Sequence, residues 1–313
     1  SFMNKIHVVF MGTPEFAVPV LQGLCEDPRI EVDMVVTQPD RPANRGKILT
    51  PPPVKVLAEK LSLPIVQPDN VNGDDVIRMI AGVAPDFVIV VAYGQILSTK
   101  ILSLAKKEVL NLHASLLPKY RGASPIQAAI LAGEKKTGVS IMGVRKKMDS
   151  GPVYRSSSTS ADDKNFIELS EELTEIGTKT LVKVIKEFSK LVPSEQDHSK
   201  ATYCKKVDKT DGLISFSEMD SNEIFRRFKA FYGWPGVFAE WHEKRILLSG
   251  ISISDVQCGN QSGAVCRIDD NVYVMAKNSS SIELKSVKLE GKKELPISEF
   301  LRGHRDFVGS RLA

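Results

Sequence analysis

Cysteine, histidine and tryptophan are scarce in this chain, with four, five and two in 313 residues. No CxxC pair occurs among Cys25, Cys204, Cys258 and Cys266, and no histidine stands at ligand spacing from any of them. That argues against a structural metal. Cys258 and Cys266 have alternating strand neighbours and read as two reduced thiols rather than as ligands, which points to a reducing cytoplasm. No uninterrupted apolar run approaches the roughly 20 residues of a membrane helix, and the opening "SFMNKIHVVFMG" passes almost at once into a strand pattern without a signal-peptide layout. A dinucleotide fingerprint is missing too. Where GxGxxG would follow the first strand stands "GTPEF" (12–16), which reads either as a helix start with Thr13 as cap and Pro14 near its first turn or as a ligand contact.

What is present is the composition of an ordinary globular protein, 42% hydrophobic and 26% charged, at a length that suggests two domains. The net charge of +4 is concentrated towards the end of the chain. Residues 200–313 carry 18 Lys+Arg against 15 Asp+Glu, while residues 1–199 carry 24 against 23. A polyanionic partner is compatible with that excess but not demanded by it.

Short apolar runs alternate with helical patterns through the first two hundred residues: "IHVVFMG" (6–12), "VDMVVTQ" (32–38), "PIVQP" (64–68), "DFVIVVAYG" (86–94), "EVLNLHAS" (108–115) and "TGVSIMGV" (137–144). This predicts an α/β domain with a Rossmann-like, mostly parallel sheet, whose site lies beyond the strands' carboxyl ends. A long helix is expected over 166–190, and the stretch 155–160, "RSSSTS", reads as low complexity. The polar segment 191–206 carries a proline and no periodicity, and is expected to be a linker. After it come a short amphipathic helix in 223–236 and short strand-like runs at barrel spacing. They predict a small all-β domain over 207–313, a five-stranded, partly open barrel.

Three stretches carry polar chemistry. "QPDRPANRGKILTPPPVK" (38–55) holds Arg41, Arg45, Lys47 and Lys55 after Asp40 with no further acid, among five prolines. It reads as a phosphate-contacting arm or as a solvated loop. In "NLHASLLPKYRG" (111–122), Asn111 and His113 stand two apart on a strand and share a face. They suit an oxyanion donor beside a proton-moving imidazole, or a turn-capping asparagine beside a packed histidine. "MDSGPV" (148–153) sets Asp149 in a small-residue turn. There it forms the turn, or completes a polar triad from a neighbouring strand end. No side-chain nucleophile with a base accompanies them, so direct group transfer between two bound substrates is the expected chemistry.

Together "GTPEFAVPVL", "TQPDRPANRGKILTPPPVKVLA", "NLHASLLPKYRGASPIQ" and "GVSIMGVRKKMDSGPV" resemble the methionyl-tRNA formyltransferase family, in order along nearly the whole chain. The resemblance implies a formyltransferase domain of residues 1–190 and an OB-like, tRNA-contacting β-barrel domain of residues 207–313. The implied activity is formyl transfer from 10-formyltetrahydrofolate to initiator methionyl-tRNA by a cytoplasmic monomer, without metal. It implies that Asn111, His113 and Asp149 are the catalytic trio. It places Ser115, Leu116, Leu117 and Pro118 beside the folate, and the backbone around Gln95, Ile96 and Leu97 and around Arg145 and Met148 against the pterin. Arg41, Arg45 and Lys47 fall in the arm that meets the acceptor stem. Lys205, Lys206, Lys209, Arg226, Arg227 and Lys229 are further candidates for the tRNA backbone. Asn44, Ile48 and Ser150 depart from a frequent glycine, lysine and threonine or alanine of the family. A small-amine formyltransferase or a formyl-folate hydrolase would share the trio without needing the basic arm. A non-catalytic RNA binder would not need the trio, and a nicotinamide oxidoreductase would need the missing fingerprint.

Overall fold

The computed structural model describes residues 4–43 and 46–313. The chain divides into two compact units: residues 1–125, 136–160 and 170–205, and residues 126–135, 161–169 and 206–313. In chain order the first part runs β1 (Ile6–Gly12), α1 (Val18–Glu26), β2 (Ile30–Val36), a hairpin of β3 (Arg41–Ala43) and β4 (Ile48–Thr50), α2 (Pro53–Lys60), β5 (Ile65–Val66), α3 (Asp74–Val83), β6 (Phe87–Val91), α4 (Thr99–Leu102) and β7 (Glu108–His113). Then follow β8 (Arg121–Gly122), α5 (Pro125–Leu131), β9 (Lys136–Gly143), β10 (Val153–Ser160), α6 (Phe166–Glu187) and β11 (Tyr203–Cys204).

The main sheet has the order β10-β9-β7-β6-β1-β2-β5. Its five strands from β7 to β5 are parallel. Every residue of β6 is buried, as an apolar strand covered on both faces must be. On one face Val9, Met11, Met34, Val36, Val88, Val90 and Val109 meet Val76 and Ile80 of α3 in a single cluster. That helix starts with Asp74 and Asp75, which complement its positive end, and stops where Ala84 turns left-handed at φ 50°. On the other face α6 comes so close that a Cβ on Gly177 would lie 3.0 Å from Leu112 and 3.3 Å from Val139.

One local reading is corrected and one strand is added. Thr13 does not cap a helix: its hydroxyl donates to the Tyr93 carbonyl at 2.7 Å, and the chain enters α1 through a short 3₁₀ turn, Glu15–Ala17. The low-complexity stretch 155–160 lies in β10, a strand not expected from the sequence, paired antiparallel to β9 from Val153 to Ser160. Its outer side faces solvent, so no apolar alternation marks it, and the polar residues suit an edge strand.

In the second unit α7 (Ser221–Ala230) packs on an antiparallel sheet of β12 (Phe238–Trp241), β13 (Lys244–Ser254), β14 (Val265–Ile268), β15 (Asn271–Ala276), β16 (Ser280–Leu289) and β17 (Glu294–Pro296), followed by α8 (Ile297–Gly303). The ladder runs β12-β13-β16-β15-β14, with β17 on β16. Register shifts on either side of Gly250 bend the long β13 and curl the sheet into an OB-like half-barrel. It has six strands rather than five, the extra one being the three-residue β17. Trp241, Phe300 and Phe307 meet edge-on with centroids 5.0–6.0 Å apart. Cys258 and Cys266, expected as two reduced thiols, are instead paired as a disulfide, because the loop after β13 returns beside β14 with their Cα atoms 6.1 Å apart. No helix among the described residues is long and apolar enough to cross a membrane.

The sheet of the first unit depends on its middle. Ile89 is fully buried in β6, between Phe10 of β1 and Leu110 of β7. Ile89→Ala should cost about 2–5 kcal/mol, measured as a lower midpoint of urea unfolding followed by far-ultraviolet circular dichroism.

Candidate active site

The side chains of β7 alternate between faces. Val109 lies in the α3-side cluster, so Asn111 and His113 point the same way. Asn111 is flanked by Val90 of β6 and Met142 of β9. Its Oδ1 is buried with no hydrogen-bond partner among the described residues, an arrangement that costs free energy until a ligand or water supplies one. His113 is 7% exposed, and its Nε2 lies 2.8 Å from the Tyr120 carbonyl. A carbonyl only accepts, so Nε2 carries a hydrogen and Nδ1 is the nitrogen left to exchange a proton. Nδ1 lies 3.9 Å from Oδ1 of Asp149.

Asp149 reaches that place by a route the sequence did not predict. The expectation was two neighbouring strand ends, but β9 runs antiparallel to β7, with Leu110 opposite Gly143 and His113 opposite Ser140. The end of β9 therefore lies beside the first half of β7, and the turn at 144–152 must double back. Asp149 sits in it with a left-handed φ of 54°, a conformation that costs a non-glycine residue about 1–2 kcal/mol. Among the hydrogen bonds that hold the turn there, three bear directly on Asp149 and Gly151. Gly122 N–H donates to Asp149 Oδ2 at 2.8 Å. The Gln196 amide donates to the carbonyls of Asp149 at 2.9 Å and Gly151 at 2.7 Å. Both glycines are required by space. Gly122 has φ 116° and its Cβ would lie 2.1 Å from the Cys204 carbonyl oxygen, while a Cβ on Gly151 would lie 1.7 Å from that of Gly143.

Residues 194–204 wrap the same loop. Ser194 bridges Val153, and β11 adds to β8. Tyr120 N–H donates to the Thr202 hydroxyl at 2.8 Å, and Arg121 N–H to the Thr202 carbonyl at 2.9 Å. Beneath them Arg121 is completely buried. Its guanidinium donates to Gln196 Oε1 through Nε at 3.3 Å and Nη2 at 2.9 Å, to His198 Nδ1 at 2.8 Å and to the Tyr203 hydroxyl at 3.2 Å. Arginine only donates, so His198 accepts at Nδ1. Burial pushes the neighbouring Cys204 thiol up, and the charge of Asp149 adds to the shift. Gln196, His198 and Tyr203 were not singled out from the sequence. They lie in a polar segment without periodicity, and nothing local marks them as partners of an arginine some 75 residues earlier.

The structure brings His113 and Asp149 to 3.9 Å, with Asn111 on the same face of β7 as His113. Ser115 is fully buried, and its hydroxyl donates to the Lys119 carbonyl at 2.6 Å; it shapes the turn of Leu116, Leu117 and Pro118, which are half-buried. The Gln95 amide bonds Gln38, Pro68 and Val71. Ile96 is 83% exposed while Leu97 is buried. Arg145 is paired through both terminal nitrogens with Glu108 at 3.0 Å, which raises its already high pKa; Met148 is exposed. Arg41 and Lys47 are exposed on the β3–β4 hairpin, and Arg45, with Asn44, lies outside the described residues. Lys205, Lys206 and Lys209 are exposed. On α7 the cations are engaged within their own unit: Arg226 with the Leu131 carbonyl, Arg227 with the Asp211 carbonyl and Glu223, and Lys229 over the Phe225 ring. No group of three or more metal-ligating side chains occurs among the described residues.

Residues 4–185 match the formyl transferase family model and residues 206–305 that of the formyl transferase C-terminal domain. The methionyl-tRNA formyltransferase of Caldicellulosiruptor saccharolyticus is 38% identical over 310 residues, covering 98% of this chain and 99% of that one. Among solved structures, the fold is similar to that of HypX from Aquifex aeolicus in complex with tetrahydrofolic acid (TM-score 0.62, 15% identity, 96% of this chain and 48% of that one). It is similar too to methionyl-tRNA formyltransferase from Clostridium thermocellum (TM-score 0.57, 15% identity, 80% of this chain and 95% of that one). With both family models matched in order and relatives aligned over nearly their full length, the chain belongs to the methionyl-tRNA formyltransferase family.

Proposed function

We propose that the chain transfers the formyl group of 10-formyltetrahydrofolate to the α-amino group of methionine on initiator methionyl-tRNA, for translation initiation. The observation that carries the reading is the convergence of Asn111, His113 and Asp149 on one face of β7, in a chain related to these enzymes over almost its whole length. The neutral amine attacks the formyl carbon, and a tetrahedral oxyanion forms. Asn111 donates to that oxygen through its side-chain Nδ2. His113 keeps one N–H on Tyr120 and takes or gives its second proton at Nδ1, beside the Asp149 carboxylate. As the carbon–N10 bond breaks, the proton lost by the amine is delivered through this pair to N10. Oxyanion stabilisation by preorganised donors is commonly the largest single contribution in such acyl transfers.

The folate lies along Ser115, Leu116, Leu117 and Pro118, with the pterin against the backbone of Gln95, Ile96 and Leu97 and of Arg145 and Met148. Folate is a co-substrate here, and the reaction as written needs no metal. The tRNA is met by the arm bearing Arg41, Arg45 and Lys47, with Lys205, Lys206 and Lys209 and the cations of α7 (Arg226, Arg227, Lys229) along its backbone. We assign formyl transfer to residues 1–190 together with the segment 194–204 that packs on their catalytic loop, and tRNA contact to residues 207–313 along with the arm, in a monomer that works in the cytoplasm.

Formylation of methionyl-tRNA by the purified chain, dependent on 10-formyltetrahydrofolate, tests the assignment. Asn111→Ala should lower the rate about a hundredfold or more, equivalent to roughly 3 kcal/mol, at saturating folate and tRNA; a normal rate would sink the mechanism. Arg41→Glu with Lys47→Glu should weaken tRNA binding and reduce the slope of log affinity against log salt by about 0.7–0.9 for each phosphate no longer neutralised. Folate affinity, read by fluorescence titration, should not change.

A further inference from the structure

We propose that Gln196 is a positioning residue for formyl transfer, fixing how far Asp149 stands from His113; the proposal rests on the reading of Asp149 as a member of the catalytic trio. At 3.9 Å the His113–Asp149 separation exceeds a hydrogen bond. No direct bond therefore sets it, and the distance follows from where the turn carrying Asp149 is held. That turn is held in a left-handed conformation by the Gly122 N–H on the carboxylate and by the Gln196 amide on the main chain.

The amide of Gln196 can adopt only one orientation. Its Nε2 faces two carbonyls, which only accept, and its Oε1 faces Arg121, which only donates. Both hydrogens and both lone pairs are in use, in a side chain 8% exposed. Arg121 is itself fully buried and bonded to His198 and Tyr203 as well. Three consecutive residues then reach the site by three routes. The Tyr120 carbonyl holds His113, the Arg121 guanidinium holds Gln196, and the Gly122 N–H holds Asp149. Gln196 closes this loop of bonds, so imidazole and carboxylate are referred to one rigid piece of chain.

The deciding variant in the full chain is Gln196→Glu. A carboxylate of the same size pairs with Arg121 more strongly than an amide does but has no hydrogen to give the carbonyls of Asp149 and Gly151. If the residue only satisfies the buried arginine, this change leaves activity intact. If it positions Asp149, kcat falls at least tenfold, KM for 10-formyltetrahydrofolate stays within twofold, and the thermal midpoint does not drop with kcat. Gln196→Met, which fills the same volume without polar atoms, should lower both kcat and the thermal midpoint, and it decides the matter if the Glu variant does not fold. Asp149→Asn is assayed beside them. Should it lose at least a hundredfold while a folded Gln196 variant keeps kcat within twofold, positioning by Gln196 is overturned and the trio stands. Should Asp149→Asn itself keep full kcat, the catalytic reading of Asp149 fails, and the proposal with it. Failure of both Gln196 variants to fold would make the residue structural and overturn the proposal as well.

Discussion

Arg121 brings a guanidinium to a place that solvent does not reach and where, among the described residues, no carboxylate pairs with it. Removing such a cation from water costs several kcal/mol unless its donors are met, and here they are met by neutral oxygens, a ring nitrogen and the face of Tyr203. Those partners come from residues 196–203, so the loop of residues 118–124 and the later segment cannot be ordered independently. Once both are in place, main-chain bonds from Tyr120 and Arg121 to Thr202 leave the Tyr120 carbonyl aimed at His113 and the Gly122 N–H at Asp149. The buried charge thus fixes a surface of polar groups above it.

The reversal of the sheet at β9 gives this arrangement its other half. Had β9 run parallel to β7, its end would have lain beside His113 and a short turn would have carried Asp149 there. Because it runs antiparallel, the turn must return along β7, and it has to accept a left-handed aspartate and a glycine with no space for a side chain. Such strain persists only where the surroundings over-determine it. Gly122 and Gln196 do so from two directions, one at the carboxylate and one at the main chain. The antiparallel pair also leaves β10 as an exposed edge, which its serines and threonines can occupy without inviting another strand.

These particulars show which physics a sequence exposes. Strands β1, β2, β6 and β7 were legible because strands buried on both faces need continuous apolar runs. The five main strands of the second unit were legible because their turns are spaced like those of a small barrel. Asn111 and His113 could be placed on one face by the two-residue period alone. The edge strand β10 was not legible, since an edge with a solvated side has no hydrophobic signature. Nor was the direction of β9, because strand direction depends on the connection and not on the strand. Gln196 and Tyr203 were hidden for a third reason: their role comes from satisfying a donor distant in the chain, and nothing in local composition encodes that. The pairing of Cys258 with Cys266 was hidden likewise, being set by the return of a loop and not by spacing.

One further network ties the basic arm to the folate side of the proposed site. At the arm's root, Asp40 accepts from Lys55 at 3.0 Å and from Gln67 at 2.7 Å, and these bonds, that from Gln67 foremost, hold its carboxyl below the usual range. A group shifted in that direction contributes its stabilisation above its ordinary pKa and loses it as the pH falls through the lowered value, so the root is tied at neutral pH. Gln67 also donates to the Gln38 carbonyl at 3.1 Å, and the Gln38 side chain accepts from Gln95 at 3.0 Å. Gln95 in turn holds Pro68 and Val71, and Gly94 beside it takes a φ of 102° that favours glycine. Asp40, Gln67, Gln38 and Gln95 form one hydrogen-bonded line from the base of the hairpin to the loop of residues 95–97. The arm's exposed Arg41 and Lys47 thus extend from a base that shares one hydrogen-bonded line with the loop proposed to hold the pterin.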